Sequence, residues 1–246
     1  MKKFELTTDR IEENGVTLYR IKSLIDFGDV KAGDLGGYVE KEENLSQADN
    51  AWVSDNAWVS GNALVSGNAR VYGDALVSGD ALVYGNAHVS DNAWVRGNAR
   101  VSDNALVSDN AWVYGNALVS DNALVSGNAR VYGDALVSGD AHVYGNAHVY
   151  GNAHVSDNAW VSGNAWVYGD ALVSGDADYI CLKGFGSHNR NTTMFRTKSG
   201  NICVSCGCFS GTLQEFKNKV KETHGNNKFA REYLALIEAA KIHFEV

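Results

Sequence analysis

Between Asn50 and Gly175 the hydrophobic and polar positions follow one strict order. An Asn or Asp is followed by Ala, a variable residue, Val, then Ser, Tyr or Arg, and finally Gly or Asp. This six-residue unit recurs 21 times without an insertion. A repeat this regular decides the architecture before any single residue does. Ala and Val are invariant through the run, whereas the position between them takes Trp, Leu, Arg or His. Tolerance of size and charge belongs to a side chain that faces outward. Strand side chains alternate between faces, so each unit predicts a very short strand with Val inward and its two neighbours outward. The Gly or Asp followed by Asn or Asp is a turn, built from residues that accept left-handed backbone or bond their own backbone. Small Ala fills the crowded place just inside each corner.

Three such sides make a coil of 18 residues, so the 21 units predict about seven triangular coils. At the usual interstrand spacing of about 4.8 Å they stack into a prism roughly 34 Å long. Residues 18 apart then share a column, and one wall stands out. Its columns run Trp58, Leu76, Trp94, Trp112, Arg130, His148, Trp166 and Ser60, Ser78, Arg96, Tyr114, Tyr132, Tyr150, Tyr168. Leu and Ser dominate the other two walls. Rings in such columns stabilise one another by stacking, and a contiguous aromatic wall also marks a contact surface that self-association would bury. The remaining reading is ligand binding, with Trp, Tyr and Arg as stacking platforms for a sugar, base or nucleotide and Arg96 and Arg130 as polar anchors.

The spacing in Val71-Tyr72-Gly73-Asp74-Ala75, an aliphatic residue with a small residue four places later, resembles the hexapeptide-repeat, left-handed parallel β-helix. The resemblance implies a mainly β fold with those two positions pointing inward. Period six excludes the pentapeptide-repeat helix. Solenoids need caps at both ends. At the N-terminus, residues 3–6 and 16–21 read as strands around a Glu13-Asn14-Gly15 turn. The following segment from Ile25 to Glu40 resembles the lead-in of a hexapeptide-repeat family common in bacteriophages and prophages, often described as polymer-forming or transferase-like.

After the repeat, residues 179–182, 193–196 and 202–205 read as strands. Thr212-Leu213-Gln214-Glu215 is a capping box that opens a helix with Gly225 as its stop, and a second helix begins near Lys228. The stretch from Gly207 to Gly225 resembles a tail of the same phage families. The expected organisation is an N-terminal β cap over residues 1–49, the β-helix over 50–177 and a small α+β domain over 178–246.

Composition adds charge and compartment. No run of residues is apolar enough for a membrane span or signal peptide, and the four cysteines are clustered between Cys181 and Cys208, which points to reduced thiols and a cytoplasmic protein in the host cell. Residues 50–177 hold 12 Asp against 4 Arg, and residues 178–246 hold 10 Lys or Arg against 6 Asp or Glu. The two parts are oppositely charged. The corner pair is Gly-Asn, Gly-Asp or Asp-Asn but never Asp-Asp, as expected if adjacent carboxylates repel.

Candidate chemistry is sparse. His142, His148 and His154 fall on three different walls of one coil and cannot converge on a metal. On a short strand, alternation would point Cys206 and Cys208 the same way and Cys203 opposite, which favours structural thiols over a zinc site. A catalytic Cys208 with His224 would draw on a helix N-terminus to lower its pKa. Hexapeptide acyltransferases resemble one another in a loop that interrupts the coils and a histidine at a subunit interface, and this repeat has no interruption. Ice-binding prisms resemble a Thr grid that is absent from these columns.

No catalytic residue, metal or cofactor is therefore assigned. The expected function is a non-enzymatic phage or prophage β-solenoid that acts as a rigid interaction or scaffold module. It forms a homo-oligomer or meets a host protein, without a membrane, through Trp58, Trp94, Arg96, Trp112, Tyr114, Arg130, Tyr132, His148, Tyr150, Trp166 and Tyr168. Sequestration of a nucleotide-like anion and acyl transfer stay open as alternatives.

Overall fold

The repeat folds as expected because every Val and every Ala of the run finds the same interior. All of them are buried in one continuous core. The computed structural model describes residues 2–13 and 15–246. Each unit contributes a two-residue strand such as Trp94–Val95 or Leu106–Val107, and these stack in three parallel sheets. Register is set by residues 18 apart, as in Trp94 opposite Trp112, His88 opposite Leu106 and Arg100 opposite Leu118. Successive coils are tied by the same three bonds. In one unit Asn92 N donates to Asp109 O at 2.8 Å, Trp94 N to Ala111 O at 2.9 Å and Arg96 N to Val113 O at 3.0 Å.

The solenoid has about eight turns rather than seven. The extra turn comes from residues outside the motif: strand Leu35–Val39 lays Tyr38 beside Trp58 and Val39 beside Val59, and Leu45 bridges to Val65. These pairs are 20 residues apart, so the first coil is longer than the rest. The backbone can come this close only because Gly36 and Gly37 lack side chains. A Cβ on Gly36 would lie 2.6 Å from both Ile21 Cγ1 and the Val53 carbonyl.

Corners explain the turn alphabet. The first corner residue is left-handed whether it is Asp, as at Asp109 with φ 58°, or Gly, as at Gly133 with φ 73°. An Asp in this slot also caps the next coil: Gly127 N donates to Asp109 Oδ2 at 2.9 Å and Gly139 N to Asp121 Oδ2 at 3.1 Å. The second slot is an amide ladder. Asn86 Nδ2 donates to Asn104 and Asn104 to Asn122, each at 3.0 Å, and Asn122 donates to Asp140 at 2.9 Å. A carboxylate accepts but cannot donate, so Asp140 ends that run.

Both ends are plugged. Strands Phe4–Glu13 and Val16–Ser23 form an antiparallel hairpin that drives Phe4 and Ile21 into the solenoid core; Asn14, at the centre of the expected turn, lies outside the described residues. Lys3 is buried beside them. Its Nζ donates to the carbonyls of Ala51 at 2.9 Å and Ala48 at 3.2 Å and lies 5.0 Å from the Phe27 ring centroid. Burial pushes its pKa down to about 8, against the opposing pull of Asp49.

At the other end, a four-stranded antiparallel sheet (Tyr179–Phe185, Arg190–Arg196, Ile202–Cys206, Phe209–Thr212) crosses the last coil, and Phe195 closes its core. Helices α1 (Leu213–His224) and α2 (Lys228–Phe244) pack on this sheet around a second core containing Phe216, Val220, Tyr233, Ile237 and Ala240. The capping box is formed: Glu215 N donates to Thr212 Oγ1 at 3.3 Å and Thr212 N to Glu215 Oε2 at 2.8 Å. Among the described residues no helix is long and apolar enough to cross a membrane.

Candidate interaction face

The eighteen-residue register brings all eleven predicted face residues onto one sheet. Trp58 sits half-buried between Tyr38 and Leu76, and Leu76 itself is buried. Trp94 and Trp112 stack at 4.8 Å with planes 3° apart. In the neighbouring column Tyr114, Tyr132 and Tyr150 stack at 4.8 Å, and Tyr150 stacks on Tyr168 at 5.1 Å. His148 stacks on Trp166 at 5.1 Å. The two columns interlock edge to face, with Tyr132 against His148 and Tyr150 against Trp166, each at 6.3 Å. The spacing equals the coil repeat, so equivalent rings meet face to face along the solenoid axis, while the rings of the two columns are inclined to one another by 81° and 82°.

This orientation has a chemical consequence. Ring faces carry the negative part of the aromatic quadrupole, and within the columns they are already occupied by neighbours. Trp112 is the clearest case: Trp94 covers it by stacking, while the guanidinium carbons of Arg96 and Arg130 each lie 5.2 Å from its ring centroid. Arg96 also lies 5.4 Å from Tyr114. The wall therefore offers ring edges, hydroxyls and two exposed guanidinium groups to a partner, and few free ring faces to a small ligand.

Packing in the columns also tunes titration. Burial, with Tyr132, Tyr168 and Cys203 adding to it, pushes the Tyr150 hydroxyl up to about 12. Burial likewise raises Tyr132 and Tyr168, and Tyr168 donates to Ser210 Oγ at 2.6 Å. His148 is held below its ordinary value, first by burial and then by Arg130. All these side chains are thus uncharged at neutral pH, which leaves Arg96 and Arg130 as the charges on the wall.

Two contributors were not among the expected residues. Tyr38 extends the Trp58 column and packs under Arg20 at 5.4 Å. Phe195 ends the Tyr column against Tyr168 at 5.4 Å. Neither lies in a repeat unit, so periodicity carries no signal for them. The other sequence candidates disperse. His142, His148 and His154 occupy three different sheets. Burial raises Cys181 and Cys203 at the solenoid end, and Cys206 lies in the second core beside Thr192 and Tyr233. Cys208 is exposed and, contrary to the expected placement, does not precede a helix N-terminus, because strand Phe209–Thr212 intervenes. It does share a cavity of about 300 Å3 with His224.

Known proteins add one match. The YdcK β-solenoid repeat family matches residues 57–73, 69–85, 99–115, 111–127, 123–139 and 129–145, all inside the repeat. No curated protein matches the chain. Motif, register and family match agree on a β-helix repeat protein.

Proposed function

We propose that this protein is a non-enzymatic interaction module, a rigid rod that pairs with a second copy through its aromatic wall and holds out the C-terminal α+β unit. The observation that carries this reading is the long series of stacked rings on one wall, Trp94 on Trp112 and Tyr114 through Tyr132 and Tyr150 to Tyr168, with Arg96 bridging Trp112 and Tyr114 and no inserted loop between them. Charge distribution supports a self-complementary contact. Exposed Arg96 and Arg130 lie on the wall, and exposed Asp91 and Asp109 line one flanking corner while Asp80, Asp134 and Asp170 line the other. A two-fold arrangement sets the cations of one copy toward the acidic rims of the other. The resemblance of the lead-in and tail to phage families makes a host-cell component the next partner to seek.

Light scattering of the full chain over a concentration series tests the reading. The expected result is a dimer that Arg96→Glu and Arg130→Glu dissociate without loss of the β signal in circular dichroism. A monomer at every concentration up to the millimolar range would remove the pairing.

A further inference from the structure

The aromatic ladder has an end, and the end differs from the rest. Trp166 is stacked on one side by His148, but no repeat unit follows it on the other, because the chain leaves the solenoid after Gly175 and the C-terminal sheet begins. Its side chain is 42% exposed, against the half-buried Trp94 and Trp112 of the same column. Trp166 is fixed at this junction by its backbone, whose N–H donates to Thr193 Oγ1 at 3.1 Å.

Beside this ring lies a cavity of about 350 Å3, shared by the last coil and the C-terminal sheet. Its walls include Trp166, Lys183, Arg190, Asn164, Asn191 and Ser205, and no carboxylate lines it. Among the described residues neither Lys183 nor Arg190 forms an ion pair, whereas Arg20, Arg70 and Arg196 each do. Arg190 is also positioned: its guanidinium lies so close over Gly207 that any side chain there would displace it. Two cations without ion pairs in the lining of one polar cavity call for an anion, and the side of the indole that no further coil covers calls for a flat ring. The amides of Asn164 and Asn191 can both donate to and accept from the edge of such a ring.

We infer that this junction cavity binds a nucleoside monophosphate, with the base on the open face of Trp166, its edge toward the two asparagines, and the phosphate between Lys183 and Arg190. The volume falls in the range of small-ligand sites. The inference does not depend on pairing through the aromatic wall.

Calorimetric titration of the full chain with AMP, GMP, CMP and UMP tests it, with adenosine, ribose 5-phosphate and inorganic phosphate as separate arms. At least one nucleotide is expected to bind, and each fragment to bind at least about tenfold more weakly. Trp166→Leu should weaken that nucleotide by about tenfold to a hundredfold. Arg190→Ala should weaken it by a similar factor and flatten the salt dependence, and Arg190→Lys should restore part of the loss. Arg100→Ala, in a different sheet and outside the cavity lining, should leave binding unchanged. No binding by any of the four nucleotides overturns the proposal. So does phosphate or ribose phosphate that binds as tightly as the nucleotide, or a Trp166→Leu protein, folded by circular dichroism, that binds as tightly as the parent.

Discussion

Trp112→Ala is the sharpest probe of the ladder, because this ring is covered on three counts: by Trp94 at 4.8 Å and by the Arg96 and Arg130 guanidinium groups at 5.2 Å each. A stacked aromatic pair contributes about 0.5–1.5 kcal/mol beyond its buried area. Each exposed cation–π contact adds about 0.5–1 kcal/mol. The expected loss beyond the buried area of the ring is therefore about 1.5–3.5 kcal/mol, with the Val113 core beneath unchanged. Urea unfolding followed by far-ultraviolet circular dichroism measures it. Repeat proteins lose cooperativity when one interface weakens, so the slope with denaturant has to be compared as well as the midpoint. A double-mutant cycle with Trp94→Ala isolates the ring pair, whose coupling is expected at about 0.5–1.5 kcal/mol. Trp166→Ala, which removes a ring stacked on one side only, should cost less. A Trp94–Trp112 cycle that closes without coupling would refute the claim that stacking along the wall stabilises the coils.

Other residues make further tests. Gly133→Ala places a Cβ 2.9 Å from Gly151 N at φ 73°, and should lower the melting temperature by several degrees; Gly127→Asp, in the corner column that already holds Asp91 and Asp109, should lower it less, and equal losses would argue against the capping role of corner Asp. Lys3 titrates near 10.5 when unfolded and about 8 when folded, so between these values only the unfolded chain still holds the proton; the stability of the parent relative to Lys3→Met should rise from pH 8 to pH 10.5, measured by urea midpoints. His148 is lowered from 6.5 in the folded state, so as pH falls below that value the unfolded chain takes up the proton first and stability declines. His148→Phe should flatten this decline, and an unchanged acid limb would assign it to other groups.

The interior was legible because Val and Ala do the same job in every unit, and a period of six leaves no other wrap that keeps both inside. The same arithmetic sorted the rings onto one wall. It missed the first turn because Tyr38, Val39 and Leu45 do that job without the motif, at a spacing of 20 that no neighbouring unit repeats. Strand Phe209–Thr212 was hidden by Ser210 and Gly211, which read as turn residues but here pair with Ser205 and Val204. The capping box and Gly225 marked α1 correctly, since helix ends are local chemistry. That like rings stack along a column was legible as well, and the structure bears it out. Where the stack ends was not, since a column does not show that Trp166 keeps His148 on one side and has no further coil on the other. Nor could any pattern join Lys183 and Arg190 to that ring, because non-repetitive loops and strands bring them there.

Each interior coil is held mainly by the coils on either side of it, with the same bonds at every step. Cutting out one stretch of eighteen residues in frame, such as Asp91 to Ser108, would join equivalent corners and move the C-terminal unit about 4.8 Å toward the hairpin without turning it. Duplicating the stretch would do the reverse. The molecule is thus a ruler with fixed graduations, and unequal crossing-over within so repetitive a gene can reset the distance between its two ends in single steps while the caps stay as they are.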